Sequence, residues 1–207
     1  MVGSTPEERA QFSAQAAADW ERILLARAAE LAPGGRFICL NFGIDEKGRH
    51  LGHTGGQSMF DNFTHHWRAL RDEGRITDQE FIRATFAQHY RTVEEFTAPF
   101  DNPNSTVRQA GLNLISAETR LTPCPYHALY QEAGTKMTSA DYAAILIPTT
   151  RSWSETVFRT ALAGRPEEEI EALVNAFYSA YEQQVAADPS GHAMDYIHVL
   201  MAIEKRT

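Results

Sequence analysis

Residues 31–42 constrain the fold most, because a tight turn there leads directly into an apolar run. Pro33-Gly34-Gly35 is a turn of the kind that ends a helix, and Phe37–Phe42 follows it. A run without polar alternation is typical of a strand that is covered on both faces, as in α/β proteins. We therefore expect a sheet with helices packed against it.

Local signals predict helices on either side of this strand. Apolar residues at three- and four-residue steps indicate a first helix that ends at Pro33. Aromatic and apolar side chains from Met59 to Leu70 indicate another helix, which stops at Gly74. Helix starts are also marked by three capping boxes: Thr5 with Glu8, Thr77 with Glu80, and Thr92 with Glu95. The last two predict helices near 78–88 and 93–97, so that residues 57–98 form a helical cap insertion.

The second half of the chain contains two more predicted strands, at 111–117 and 196–205. Residues 139–163 have a helical pattern that Pro148 should kink or split. A further helix begins at Pro166, with three glutamates in its first turn. The order of elements predicts one α/β domain over residues 1–207, with about three strands.

Composition excludes several classes of function. The chain has 19 basic and 27 acidic residues and a formal charge of −8, which disfavours nucleic acid as a partner. No apolar run reaches the roughly 20 residues that span a bilayer, and "MVGSTPEERAQ" does not resemble a signal peptide. We expect a cytoplasmic protein. Cys39, within the first strand, is interpreted as a small buried hydrophobic residue.

The eight histidines do not predict a metal site. His65 and His66 are adjacent and so point about 100° apart on a helix. His50 and His53 fall in a predicted loop without a full ligand set. The segment "HHWRALRDEG" is instead expected to be a solvated helix face behind a buried Trp67. Potential nucleophiles without an activating context are Ser152, Ser154 and Cys124.

The segment "ELAPGGRFICL" resembles the one before the fifth strand of class I S-adenosylmethionine-dependent methyltransferases. The longer segment "QAAADWERILLARAAELAPGGRFICL", an aromatic helix ending "EGRIT", and "FAQHYRTVEEF" resemble the carboxyl half of the SABATH family, which methylates small acids such as salicylic and benzoic acid. The similarity runs from about Phe12 to Arg206 and is loosest over 99–138. Matching positions are Gln15, Asp19, Trp20, Tyr90 and Glu94 or Glu95.

This resemblance implies a fold: the later half of a class I methyltransferase (Rossmann-like) sheet with a helical cap. The family's late strands then place 196–205 between 36–42 and 111–117, antiparallel to both. Strand 36–42 lacks a neighbour on its other side in this arrangement. An exposed apolar edge invites pairing, so we expect something else to cover it.

The resemblance also implies methyl transfer from S-adenosylmethionine to the carboxylate of a small aromatic or apolar acid. The family builds its cofactor site mainly on the first four strands, with a Gly-rich turn and a ribose-binding acid that this chain lacks. Gly34-Gly35 is not that turn, because it follows a helix and opens a strand. We leave the cofactor-binding residues unassigned and expect the isolated chain to be inactive and to bind the cofactor poorly.

No catalytic residue is expected, because a carboxylate is already ionised and needs no general base. By similarity to the family, the residues expected to line the substrate pocket are Met59, Phe60, Tyr90, Leu146 and Tyr196. The alternative is that these are core residues, since aromatic side chains at helical spacing usually are.

Two other interpretations stay open. One is a non-catalytic module that binds a small acid or forms dimers. The other is a reading frame that starts late or is split, with the missing half encoded upstream. The partners expected are therefore a small carboxylic acid and either a second copy of the chain or the N-terminal half.

Overall fold

A computed structural model describes residues 6–54, 57–86 and 88–206. The chain forms two compact units. The sheet unit comprises Ser4–Leu51, Gln88–Thr122 and Tyr196–Thr207, and the helical unit comprises Gly52–Ala87 and Pro123–Asp195. In chain order the elements are α1 (Pro6–Glu30), β1 (Arg36–Phe42), β2 (His53–Thr54), β3 (Gln57–Ser58), α2 (Met59–Asp72), α3 (Asp78–Arg83), α4 (Val93–Asp101), α5 (Thr106–Gln109), β4 (Leu112–Thr122), α6 (Pro125–Ala133), a 3₁₀ turn (Gly134–Lys136), α7 (Ser139–Ala161), α8 (Glu167–Ala187) and β5 (Tyr196–Lys205).

The sheet unit has three strands in the order β1-β5-β4, and both pairings are antiparallel. This confirms the predicted central position of 196–205. Leu200 of β5 pairs with Leu40 on one side and with Glu118 on the other. β4 continues to Thr122, beyond the predicted end at 117, because Glu118–Thr122 pair with the first half of β5. A Rossmann-like sheet is mainly parallel, whereas both pairings of this three-stranded sheet are antiparallel. The Rossmann-like strand order therefore stays a prediction.

Only one face of this sheet is covered within the unit. Trp20 of α1 packs edge-to-face against Phe96 of α4, with ring centroids 5.3 Å apart, and its indole N–H donates to the Phe96 carbonyl at 2.9 Å. Cys39 is buried among these residues, as predicted. On the other face Ile38 and Leu40 are 63% and 60% exposed. The expectation that strand 36–42 is covered on both faces is therefore wrong for this chain.

The segment 57–98 is divided between the two units. Its first part, with α2 and α3, lies in the helical unit, and α4 lies in the sheet unit, where Phe96 packs on Trp20. The capping boxes at Thr77 and Thr92 form as predicted, whereas Thr5 lies outside the described residues. The first of these helices ends at Arg83, earlier than predicted, because the chain then turns Phe86 into an aromatic core.

Pro148 does not split α7, which is one helix from Ser139 to Ala161. Hydroxyl groups add hydrogen bonds in the turns around the proline. Thr149 donates to the Ile145 carbonyl at 3.0 Å, and Thr150 donates to the Leu146 carbonyl at 2.9 Å. Because proline has no backbone N–H, the helix lacks one hydrogen-bond donor at residue 148, and these hydroxyl bonds are additional hydrogen bonds in the same turns.

The helical unit has an aromatic core from α2, α7 and α8. Phe158 and Phe177 lie 4.2 Å apart between ring centroids, and Trp67 packs on both. His66 is buried beside this core, with Nε2 2.5 Å from the Gln184 side-chain oxygen, and burial lowers its pKa. The prediction of a solvated face is therefore wrong at His66, whereas Trp67 is buried as predicted.

Glu80 and Arg165 form a bidentate ion pair in the helical unit, with N–O distances of 2.6 and 2.8 Å. The Arg165 guanidinium lowers the pKa of Glu80 to about 2 from an ordinary value of 4.5. The pair therefore contributes fully above pH 4.5, and this contribution is lost as the pH falls towards 2. We expect Glu80→Gln to lower the free energy of unfolding by about 1–3 kcal/mol at neutral pH.

Chemical denaturation of both proteins at neutral and at acidic pH measures this difference. Glu169→Gln is the matched control, because Glu169 also pairs with Arg165 but is largely exposed. The control should change stability by less than about 0.5 kcal/mol. If Glu80→Gln lowered the free energy of unfolding by the same amount at both pH values, the stabilising role assigned to the Glu80–Arg165 ion pair would be contradicted.

Candidate functional site

Two of the five predicted substrate residues meet in an aromatic cluster of the sheet unit. Tyr196 stacks on Phe42, with ring centroids 5.5 Å apart, and Tyr90 lies edge-on to Phe42 at 6.4 Å. The stack continues from Phe42 to His198 at 5.3 Å, and from Tyr90 to His50 at 5.6 Å. We call these five residues the aromatic cluster.

Strand register accounts for most of this cluster. Residues two apart on a strand share a face, so Tyr196 and His198 project together from β5. Phe42 pairs directly with His198 across the β1–β5 ladder. Beyond Phe42, the Ile44 N–H donates to the Arg91 carbonyl at 2.9 Å, which holds the segment containing Tyr90 beside the end of β1.

Gly43 makes this close approach possible. A Cβ atom at residue 43 would lie 2.4 Å from Val199 Cγ2 and 3.0 Å from the Arg91 carbonyl oxygen. Any side chain there would push β1 away from β5 or from the segment at Arg91. Gly43 therefore allows the end of β1 to lie close to both Val199 of β5 and Arg91, and this brings the residues of the aromatic cluster together.

The polar groups of the cluster are hydroxyls and imidazole nitrogens. The Thr122 hydroxyl lies 3.1 Å from Nδ1 of His198, and the Tyr90 hydroxyl donates to the Gln88 side-chain oxygen at 2.5 Å. Burial raises the pKa of Tyr90 to about 12, so its phenol stays neutral at physiological pH. Aromatic faces with hydrogen-bond donors at their rim suit an apolar acid whose carboxylate needs donors.

The other three predicted substrate residues lie in the helical unit. Met59 and Leu146 are 3% and 2% exposed. Phe60 is partly buried, and its ring centroid lies 5.3 Å from that of Phe86 and 6.5 Å from that of Trp153. Their substrate-lining role stays a prediction.

Sequence reasoning missed Phe42, His50 and His198. The alternation of β5 together with its expected pairing to 36–42 was a sufficient signal for His198 and Phe42. No comparable signal exists for His50, because it reaches the cluster through a loop that has no periodicity.

A separate groove in the sheet unit suits an anion poorly. It has a volume of about 340 Å³, and Glu21 and Glu95 are among its lining residues. These carboxylates repel a negatively charged ligand. Across the described ranges, no group of three or more His, Cys, Asp or Glu side chains could hold a metal ion. Nor does the described part of the chain contain a helix that is long and apolar enough to cross a membrane.

The glycines around β1 do not form a binding turn for adenosylmethionine. Gly34 donates its N–H to the Lys205 carbonyl at 2.8 Å, and a Cβ atom at residue 35 would lie 2.9 Å from the Ala32 carbonyl oxygen. Gly43 is required by the approach of β1 to Val199. Internal packing therefore explains these glycines, and none of them cradles a nucleotide.

Comparison with solved structures finds similarity to a protein described as "Loganic acid methyltransferase with SAH". The TM-score is 0.59 and the sequence identity is 13%, over 95% of this chain and 49% of that one. The chain thus spans about half the length of the methyltransferase and shares that part of its fold. No protein-family model and no curated protein matches the sequence.

The neutral Tyr90 phenol is directly testable. At pH 11 a tyrosine with a pKa near 10 is about nine-tenths ionised, whereas one near 12 is about one-tenth ionised. We expect the ultraviolet difference spectrum between the original chain and Tyr90→Phe to show little tyrosinate at that pH. Since the folded pKa is raised, Tyr90 contributes stability below pH 10 that is lost as the pH rises towards 12.

Tyr126→Phe provides the control for the loss of a phenol as such, because Tyr126 lies in the helical unit, outside the aromatic cluster. Circular dichroism at the same pH verifies that both proteins are folded. A full tyrosinate signal from residue 90 at pH 11 in the folded protein would contradict a raised pKa for Tyr90.

Proposed function

We propose that this chain is the substrate-binding part of a SABATH-type carboxyl methyltransferase and holds a small aromatic or apolar acid. The main support is the similarity in fold to the loganic acid methyltransferase over 95% of the chain. Further support comes from Tyr90 and Tyr196, which the resemblance to the family selected and which pack around Phe42.

The proposed role of the aromatic cluster is to bind and desolvate the acid. A carboxylate is the reactive form at neutral pH, so no group of the chain has to remove a proton. Aromatic side chains exclude water from the apolar body of the acid. The hydroxyl of Thr122 and the imidazole of His198 stand at the edge of the cluster, where they can orient a carboxylate.

The described residues around β1 do not fit adenosylmethionine, so we assign the cofactor to another polypeptide segment. We expect calorimetry with S-adenosylhomocysteine to show no tight stoichiometric binding to this chain. Tight one-to-one binding would contradict the assignment and would require a nucleotide site within the chain itself.

The acid site can be tested without the cofactor. Phe42 is central to the aromatic cluster and is 44% exposed, so its removal should spare the fold. We expect Phe42→Ala to weaken binding of benzoate or salicylate by about tenfold, since one aromatic contact is worth about 1 kcal/mol beyond its buried area. Ligand-observed NMR measures the dissociation constants.

Phe12→Ala is the matched control, because Phe12 is 41% exposed on α1 and does not belong to the cluster. It should leave benzoate binding within about twofold. Acetate and benzamide test the ring and the carboxylate separately, and both should bind more weakly than benzoate. Equal effects of Phe42→Ala and Phe12→Ala would place the acid elsewhere.

The alternative is a non-catalytic module that binds a small acid or associates through its sheet. The exposed Ile38 and Leu40 favour association in either case. The two functions differ in one result: a methyltransferase part forms a methyl ester once an adenosylmethionine-binding segment is supplied, and a binding module does not.

A further inference from the structure

The sheet face that carries part of the aromatic cluster continues onto β4. Directly paired residues of adjacent strands project from the same face, with Cβ atoms about 4.5–5.5 Å apart. Phe42 pairs with His198, and His198 pairs on its other side with Arg120. In the next row Tyr196 pairs with Thr122. The aromatic cluster is therefore bordered on its β4 side by Arg120 and Thr122.

A bulge in β4 decides which face of the sheet carries Arg120. The register of β4 against β5 shifts between Leu114 and Ser116. If the register at Leu114 continued unshifted, Thr119 would lie opposite His198. Arg120 would then project to the core side of the sheet. The bulge thus turns a guanidinium-bearing side chain to the face of the aromatic cluster, which is how bulges beside active sites re-aim side chains.

Arg120 is held in place by a weak contact. Its side chain is 64% exposed, and one nitrogen donates to the Glu118 carboxylate at 3.1 Å. The Glu118 side chain is itself 60% exposed. Ion pairs that are open to water in this way contribute little to stability. A carboxylate that arrives at the aromatic cluster can therefore replace Glu118 as the partner of Arg120 at small cost.

A guanidinium supplies what the other polar groups at this border lack. The Thr122 hydroxyl is neutral and already lies 3.1 Å from Nδ1 of His198. The guanidinium of Arg120 is always charged, and its geometry matches both oxygens of a carboxylate. Amides and esters of the same acid carry no charge for it to bind. Arg120 therefore favours an ionised acid over neutral molecules of similar shape.

We infer that Arg120 binds the carboxylate of the acid, while the rings of the aromatic cluster bind its apolar body. This inference rests on the proposed function, because it assigns a charged partner to the same acid. It also sets the specificity of the site: the ionised acid binds more tightly than its methyl ester, so that the acid and its ester are distinguished by one residue.

Arg120→Gln tests the assignment, with benzoate and methyl benzoate as probes of the full chain. We expect benzoate binding to weaken about fivefold to tenfold, because a charge-assisted contact is lost. Methyl benzoate binding should change by less than about twofold. Arg120→Lys keeps the charge without the paired N–H groups and should give an intermediate loss. Ligand-observed NMR measures the dissociation constants.

Arg36→Gln is the matched control. Arg36 projects from the same face of the sheet but lies six residues from Phe42, about 20 Å along β1. It should leave benzoate binding within about twofold. Circular dichroism verifies that the variants are folded. Equal losses in Arg36→Gln and Arg120→Gln would overturn the inference, as would equal weakening of benzoate and methyl benzoate by Arg120→Gln.

Glu118→Gln should change benzoate binding in the opposite direction. Removing the carboxylate that competes for Arg120 should tighten benzoate binding about twofold to threefold, in keeping with an exposed pair. The same substitution in the Arg120→Gln background should have no effect. A gain that persists in that background would contradict the exchange of Glu118 for the acid.

Phe42→Ala separates this inference from the proposed function. If Phe42→Ala weakens benzoate binding and Arg120→Gln does not, the inference is overturned and the proposed acid site stands. If Phe42→Ala leaves benzoate binding unchanged, the proposed acid site itself is contradicted.

Discussion

The pairing of β5 with both of its neighbours is the constraint on which the sheet unit depends. Although β5 is the last of the described strands, it lies at the centre of the sheet, and its alternate residues Val199, Met201 and Ile203 lie in the core with residues of α1 and α4. A slip of one residue would turn those side chains outward and bring His198 and Leu200 into the core. The same register places Tyr196 and His198 beside Phe42, so core packing and the aromatic cluster are set by one ladder.

Sequence signals were sufficient where the cause is local. Capping boxes marked the starts at Thr77 and Thr92, and the bounds of strand 196–205 were predicted correctly. Signals failed where the outcome depends on a distant partner. Hydropathy shows that Ile38 and Leu40 are apolar but not whether another element covers them. His66 looks solvated in sequence, yet a helix more than a hundred residues later provides Gln184 as its partner.

The substrate residues selected by resemblance lie in both units, and their role stays a prediction. Tyr90 and Tyr196 were selected by resemblance, and the register of β1 and β5 explains how rings from separate segments reach Phe42. Met59 and Leu146 were selected by the same resemblance and are buried in the helical unit. Aromatic and aliphatic side chains occur in cores and in pockets alike, so residue type alone does not distinguish a substrate-lining role from a core role.

Strand β1 carries two different surfaces along its length. Phe42 ends the strand and contacts Tyr196 and Tyr90, whereas Ile38 and Leu40 of the same strand are exposed and apolar. Residues two apart on a strand share a face, so all three side chains project from the same side of the sheet. Any contact that restricts the motion of β1 at Ile38 and Leu40 would therefore also order the ring on which the proposed acid site depends.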